Sequence, residues 1–302
     1  MGVGTVRRYR GRGFGTERLC QRELNRYPRP PNPVGCAQDR LPPQSGKEKK
    51  RGLYACAFPS VSRGYLIKHN TLQAVLFDLD GTLVDTAPDL AAALNAVRAE
   101  YGHGPLPFPQ IRTQVSHGAT ALTRLGFPDL AEDSAEFQTR RERLLHHYAA
   151  KLAVHSRVFS GITQLIDFIE DNGIAWGVVT NKPAYLTLPL LTTLGLRERA
   201  ACIVSGDSTP QRKPHPLPLL HACELIGTSP RACVYVGDAE RDIEAGRGAG
   251  MVTLVALFGY LSLQDRPETW GADDLVQDPA EITAWIAARM SPSWLLVADG
   301  CR

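Results

Sequence analysis

Methionine is scarce in this sequence. Three occur in 302 residues, with none between Met1 and Met251. Cysteine is present but unpaired. The seven residues, Cys20, Cys36, Cys56, Cys202, Cys223, Cys233 and Cys301, are odd in number and include no C-x-x-C pair. That argues against a disulfide framework and against a zinc site. Cys202 and Cys233 lie in apolar, strand-like runs and read as buried thiols. Long apolar runs are also missing. None approaches the ~18 residues of a membrane span, and the first residues lack the roughly 7–15-residue apolar stretch of a secretory signal. A membrane partner is therefore not expected, and a cytoplasmic location is. No internal repeat is visible, and nothing sets an oligomeric state.

The net charge of +3 hides an asymmetry. Residues 1–70 carry 15 Lys and Arg against 4 acids, so the remainder stands at −8. These 70 residues are rich in Pro, Gly and Arg, as in "YPRPPNPVG", and show no sustained period. They read as a basic, disordered extension. Three origins compete: a nucleic-acid-binding arm, an Arg-rich transit segment, and upstream sequence translated from a wrongly chosen start. The third is preferred. The aromatic–basic interleaving is too thin for a nucleic-acid surface, and a start inside the region needs an alternative codon, for instance at Val61 or Leu66.

From Gln73 the pattern changes. The runs 73–77, 175–180, 201–204, 232–238 and 252–257 are near-continuous in apolar residues, as strands covered on both faces should be. Helices are expected between them. "SGITQLIDFIEDNG" carries a stripe of Ile162, Leu165, Ile166 and Ile169 and closes on Gly173. "PLPLLHACELIG" ends at Gly227, "RDIEAGRGAG" is short and Gly-rich, and Asp278 with Pro279 caps "AEITAWIAARM". This alternation predicts a doubly wound (Rossmann-like) parallel α/β sheet. Residues 87–155 break it with helical patterns only. Thr86 and Asp89 resemble a capping box, Leu90, Leu94 and Val97 form an inner face, and a second helix is expected from about Ala131 to Ala153. The expected organisation is a core of 71–86 with 156–290, a helical insert of 87–155, and a tail of 291–302.

Chemistry gathers where strands end. Asp78 and Asp80 close the first run, Thr180, Asn181 and Lys182 the second, and Asp238 and Asp242 follow the fourth; Lys213 precedes it in "QRKPHP". Like charges at one sheet edge repel, and desolvated carboxylates are costly. A hard divalent ion relieves both, and Mg2+ accepts carboxylate and phosphate oxygens together. Asp78 is then a candidate nucleophile toward phosphorus, with Asp80 as general acid and base. Gly81 permits a tight turn. Thr180 and Lys213 suit the phosphoryl oxygens. Asn181 is a candidate phosphate or substrate contact, whereas Lys182 is as readily a surface residue. In "VSHGATAL", Ser116 and His117 are candidate substrate contacts at a helix start.

"DLDGTL", "VVTNK", "RKP" and "GDAERD" resemble, in order, the four motifs of the haloacid dehalogenase-like phosphatases, over about residues 73–290. The resemblance implies a Mg2+-dependent phosphatase acting on a small phosphorylated metabolite through an aspartyl-phosphate. It implies Asp78, Asp80 (through its backbone carbonyl) and Asp238 on the metal. Asp242 would stand behind them, and residues 87–155 would form the family's cap. "VVTNKP", "KPHPLPLL" and "FGY" are similar to the phosphoglycolate phosphatase group. "WGVVTNKP", "RDIEAGR" and "WGAD" resemble the bacterial N-acetylmuramic acid 6-phosphate phosphatases. The rival readings are a sugar phosphomutase and a non-enzymatic regulatory or binding module with a basic arm. A dehalogenase is disfavoured, because it needs no metal and so no acid cluster.

Overall fold

A computed structural model describes residues 72–290. The expectations for residues 1–70 and for the tail lie outside these residues. The short apolar runs become strands β1 (Ala74–Phe77), β4 (Ala175–Val179), β5 (Cys202–Val204), β6 (Cys233–Gly237) and β7 (Val252–Ala256). With β8 (Asp274–Val276) they form one parallel sheet in the order β5-β4-β1-β6-β7-β8. The sequence offered no sign of β8, which is three residues long, begins with an exposed acid and sits at the sheet edge. An edge strand covered on one side need not be apolar throughout.

Alternate residues of the strands feed two cores. Val75, Phe77, Trp176, Val178, Val234 and Val236 pack on one face with the Ile162–Ile169 stripe of α5 (Ile162–Asp171) and with α9 (Pro279–Met290). Leu76, Val179, Val204 and Tyr235 pack on the other with α7 (Leu217–Ile226) and α8 (Glu240–Ala249). α6 (Ala184–Thr193) completes the helices that follow strands. Asp278 Oδ1 accepts from the backbone N–H groups of Ala280 and Glu281 (2.8 and 3.0 Å), as expected of a helix cap. Gly227 closes α7 in the left-handed conformation.

Between β1 and α5 lie four helices, α1 (Ala87–Glu100), α2 (Phe108–Arg112), α3 (Gly118–Gly126) and α4 (Ala135–Ala150). Their own core includes Leu90, Leu94, Val97, Ile111, Leu122, Leu144 and Tyr148. The chain enters this insert through β2 (Val84–Asp85) and leaves through β3 (Arg157–Val158), and the two pair antiparallel. Strands of two residues carry no period, so the sequence did not disclose them.

The expected capping box at Thr86 does not form. Thr86 Oγ1 instead donates to Asp80 Oδ1 (2.5 Å), and the N–H groups of Thr86 and Ala87 go to the Tyr260 hydroxyl (2.6 and 3.0 Å). Asp89 turns away to the returning chain. Its buried carboxylate accepts from His155 N (2.9 Å), Ser156 N (2.9 Å) and Ser156 Oγ (2.6 Å). A local cap lost to two longer-range partners ties the two connections of the insert together.

Asp89→Ala strands these donors in a buried place. Hydrogen bonds to a charged group contribute about 1.5–3 kcal/mol each, and an unmet donor costs a similar amount. Urea unfolding is expected to show a loss of about 3 kcal/mol, with less for Asp89→Asn.

Candidate active site

The sheet order reverses at β1, which has β4 on one side and β6 on the other. Parallel register places the ends of these three strands side by side: Phe77 stands opposite both Val178 and Val236. Neighbouring strands lie about 4.8 Å apart. The residues that follow them, Asp78, Thr180 and Asp238, are therefore brought to one edge, at the switch point where open α/β sheets bind ligands. All three are buried. The N–H of Asp78 still reaches Val236 O (2.9 Å), and that of Thr180 reaches Val204 O (2.9 Å), so each is held by the ladder it terminates.

Lys213 stands at the centre. Its side chain is fully buried, with Nζ 2.8 Å from Asp78 Oδ1 and 2.8 Å from Asp242 Oδ1. Nζ donates to Val179 O (2.8 Å) and to the Tyr235 hydroxyl (2.6 Å). Asn181 positions the lysine's backbone: Nδ2 donates to Lys213 O (2.9 Å), and Lys213 N donates to Asn181 Oδ1 (3.0 Å). The Asn181 amide, expected on phosphate or substrate, is thus spent on holding the loop that carries Lys213.

One buried ammonium faces three buried carboxylates. Ligand oxygens of Asp78, Asp238 and Asp242 all lie within 4.8 Å of one another. Lys213 pairs with Asp78 Oδ1 and Asp242 Oδ1, whereas the buried Asp238 Oδ1 has no partner. Burial, followed by the charges of Asp78 and Asp242, pushes the Asp238 carboxyl up to about 7. Asp78 moves the other way: burial raises its pKa, but Lys213 and then Arg241 outweigh it and hold it below the usual carboxylate range. Oxygen-only, net negative and with Asp238 Oδ1 unpartnered, this set fits a hard divalent cation. Asp242 backs the set: its Oδ1 pairs with Lys213 Nζ and its Oδ2 accepts from Ala239 N (3.1 Å). The Asp80 carboxylate stands outside it, drawn off by Thr86 and by Lys182 Nζ (2.8 Å).

Lys182 is the residue the sequence reading undervalued. It is buried rather than exposed, and its ammonium donates to Asp80 Oδ1 and to the Tyr148 hydroxyl of α4 (2.9 Å). Its place at the end of β4, two residues past Thr180, was the available signal. Tyr260 also went unassigned. Its N–H donates to Asp238 Oδ2 (2.9 Å), while its hydroxyl caps α1 and donates to Asp85 Oδ1 (2.7 Å). From the insert, Ser116 Oγ donates to Asp238 Oδ2 (2.6 Å). His117 and Gly118 sit at the start of α3 and line the same pocket. Gly81 has φ +91°, and a Cβ there would fall 2.1 Å from Asp238 Oδ2, so both the turn and the approach demand glycine.

Above these groups opens a cavity of about 380 Å3, walled by Asp78, Asp80, Thr180 and Lys182 below and by residues of the insert above. A carboxylate free to attack, a second two residues on, a lysine and a cation seat together suit transfer of a phosphoryl group.

The comparisons with known proteins agree with this geometry. A family model described as haloacid dehalogenase-like hydrolase matches residues 75–256. A phosphoglycolate phosphatase of Xylella fastidiosa is 46% identical over 207 residues, covering 68% of this chain and 90% of that protein. An N-acetylmuramic acid 6-phosphate phosphatase of Pseudomonas aeruginosa is 43% identical over 216 residues, covering 72% and 95%. Among solved structures, one described as a predicted phosphoglycolate phosphatase from Haemophilus somnus superposes with a TM-score of 0.64 at 27% identity, covering 72% of this chain and 99% of that one. The chain belongs to the haloacid dehalogenase-like hydrolase family.

Proposed function

We propose that the protein is a Mg2+-dependent phosphomonoesterase that hydrolyses a small phosphorylated metabolite, of the phosphoglycolate phosphatase kind, through an aspartyl-phosphate at Asp78. The observation that carries this is the buried set of Asp78, Asp238, Asp242 and Lys213, in which Asp78 faces the cavity, one ammonium meets three carboxylates, and Asp238 Oδ1 has no partner. When bound, Mg2+ would rest on Asp78 and Asp238, with the backbone carbonyl of Asp80, and offset the negative charge of carboxylates and phosphoryl group together.

The chain's own residues then divide the work. A carboxylate oxygen of Asp78 attacks phosphorus as the bond to the leaving oxygen breaks, and a proton from Asp80 goes to that oxygen. Water next attacks phosphorus, gives its proton to Asp80, and Asp78 leaves as carboxylate. Lys213 offsets the charge on the phosphoryl oxygens and keeps Asp78 ionised. Thr180 stands ready to donate to an equatorial oxygen. Lys182 and Thr86 hold Asp80 in one orientation. Asn181 acts through Lys213 rather than on the substrate, while Ser116 and His117 close the site from the insert.

A second reading, an amino-sugar phosphate such as N-acetylmuramic acid 6-phosphate, is favoured by the 43% identical Pseudomonas relative and by the size of the cavity. A volume of about 380 Å3 matches the share of about a dozen liquid water molecules, generous for a two-carbon phosphate.

Hydrolysis of para-nitrophenyl phosphate with Mg2+ tests the chemistry. Asp78→Asn is expected to lower kcat by about 10^4-fold or more while the fold persists. Activity surviving that change would exclude the mechanism.

The cation seat makes a separate prediction through pH. The Asp238 carboxyl, pushed from its usual 3.8 up to about 7, is protonated in the metal-free folded protein at mildly acidic pH. The folded state then binds that proton more tightly than the unfolded chain, so stability without metal falls as pH rises through about 7. Cation binding must expel the proton and is strengthened over the same range. The rise in Tm caused by Mg2+ is therefore expected to be larger at pH 8 than at pH 6. Equal shifts at both values would remove Asp238 from the site.

A further inference from the structure

Five basic side chains line the cavity: His117, Arg141, Lys182, Arg212 and Arg241. Four are accounted for. Lys182 pairs with Asp80. Arg212 Nε donates to Gly206 O (2.7 Å). Arg241 lies in the field of the acid cluster: burial lowers its pKa, and Asp242, Asp78 and Asp238 more than restore it. His117 is kept toward its neutral form by desolvation and then by Arg241. Arg141 remains. Among the described residues no hydrogen bond, ion pair or ring contact engages it, although it lines the pocket and is half-buried. A partly buried guanidinium without an anion contributes little to folding, and its planar fork suits a carboxylate.

Its distance from the reacting end is set by a helix. Arg141, Leu145 and Tyr148 all line the pocket from α4. They stand at i, i+4 and i+7, one face of the helix. Tyr148 marks the deep end, because its hydroxyl accepts from the lysine paired with Asp80. Two turns earlier in the helix, the backbone of Arg141 stands about 10 Å along the axis from that of Tyr148, toward the opposite end. Leu145 between them, with Leu90, Val115, Leu122 and Leu186 across the pocket, leaves an apolar passage. A two-carbon acid phosphate whose phosphorus sits at Asp78 carries its carboxylate only about 4–5 Å away, at ordinary bond lengths. A step of about 10 Å along the helix wall favours a longer acid.

We propose that Arg141 is a specificity-determining residue that receives a carboxylate at the far end of the substrate. The pocket then takes a phosphorylated sugar acid, with its phosphate at Asp78, its ring along Leu145 and its acid group on the Arg141 guanidinium. The proposal rests on the phosphatase reading above and narrows its substrate class to the longer of the two.

The test is a ratio of kcat/KM values for the wild-type chain and for Arg141→Gln and Arg141→Glu. The substrates are N-acetylmuramic acid 6-phosphate, its counterpart without the lactyl acid, N-acetylglucosamine 6-phosphate, and phosphoglycolate. A charge-assisted hydrogen bond contributes enough for a discrimination of about 10–100-fold. The wild-type chain is expected to prefer the acid-bearing sugar phosphate over the acid-free one by that factor, mostly in KM. Arg141→Gln should lose most of the preference, and Arg141→Glu should invert it. A ratio untouched by either substitution would overturn the proposal and leave Arg141 a solvated cation. An equal loss on phosphoglycolate would overturn it too, since the guanidinium would then reach the short acid. The phosphatase reading fails separately, if the wild-type chain hydrolyses none of the three or if Asp78→Asn retains its rate.

Discussion

Everything at this sheet edge depends on one buried ammonium among three buried carboxylates. Lys213 has no exposed side-chain surface, and its two acids stand 2.8 Å away. Alone it leaves an excess of negative charge on buried groups. Such an excess is expensive unless a proton or a cation enters. Without metal the proton settles on Asp238, the one of the three acids that Lys213 does not pair with. With metal the same oxygens become ligands. The site is thus a charge deficit maintained by the fold, and catalysis uses what the fold has left uncompensated.

The remaining contacts keep that deficit in place. Asn181 locks the Lys213 backbone from the neighbouring strand end, and Gly81 and Gly259 have no Cβ where one would strike Asp238. Tyr260 spans both regions: its backbone N–H holds Asp238, and its hydroxyl holds the first turn of α1. From the insert, Ser116 reaches Asp238 directly and Tyr148 reaches Asp80 through Lys182, while Tyr260 from beyond β7 holds both Asp238 and Asp85. A shift of the insert therefore cannot leave the carboxylates unaffected. This coupling gives a physical reason for a helical layer over a strand-end site: it excludes water and strengthens each electrostatic contact beneath it.

Much of the fold was legible in the sequence, and the reasons are particular. Runs such as "AVLF" and "VYVG" are apolar on both faces because helices cover both, so their type could be read without contacts. The Ile162–Ile169 stripe and the Asp278–Pro279 start follow from local geometry. What failed to show was what had no period or no local partner. β2 and β3 are too short for alternation, and β8 is an edge. The apparent capping box at Thr86 looked complete, yet distant acceptors and donors outbid it: Tyr260 for the helix N–H groups, Asp80 for the hydroxyl, and residues 155–156 for Asp89. Local motifs describe options, and tertiary competition selects among them.

The sequence by itself determined the chemical kinds at the site and the strand ends that present them, because a polar residue closing an apolar run in a parallel sheet is carried to one edge. Asp78, Thr180 and Asp238 could be named on that ground alone, and Lys213 by its place in the order of motifs. The division of labour among the carboxylates was decided only by the tertiary structure. How the Asp80 carboxylate is held turns on where Lys182 and Thr86 lie, 102 residues away in the first case and six in the second. Those distances are set by how β4 and the insert pack against β1, which no pattern along the chain encodes.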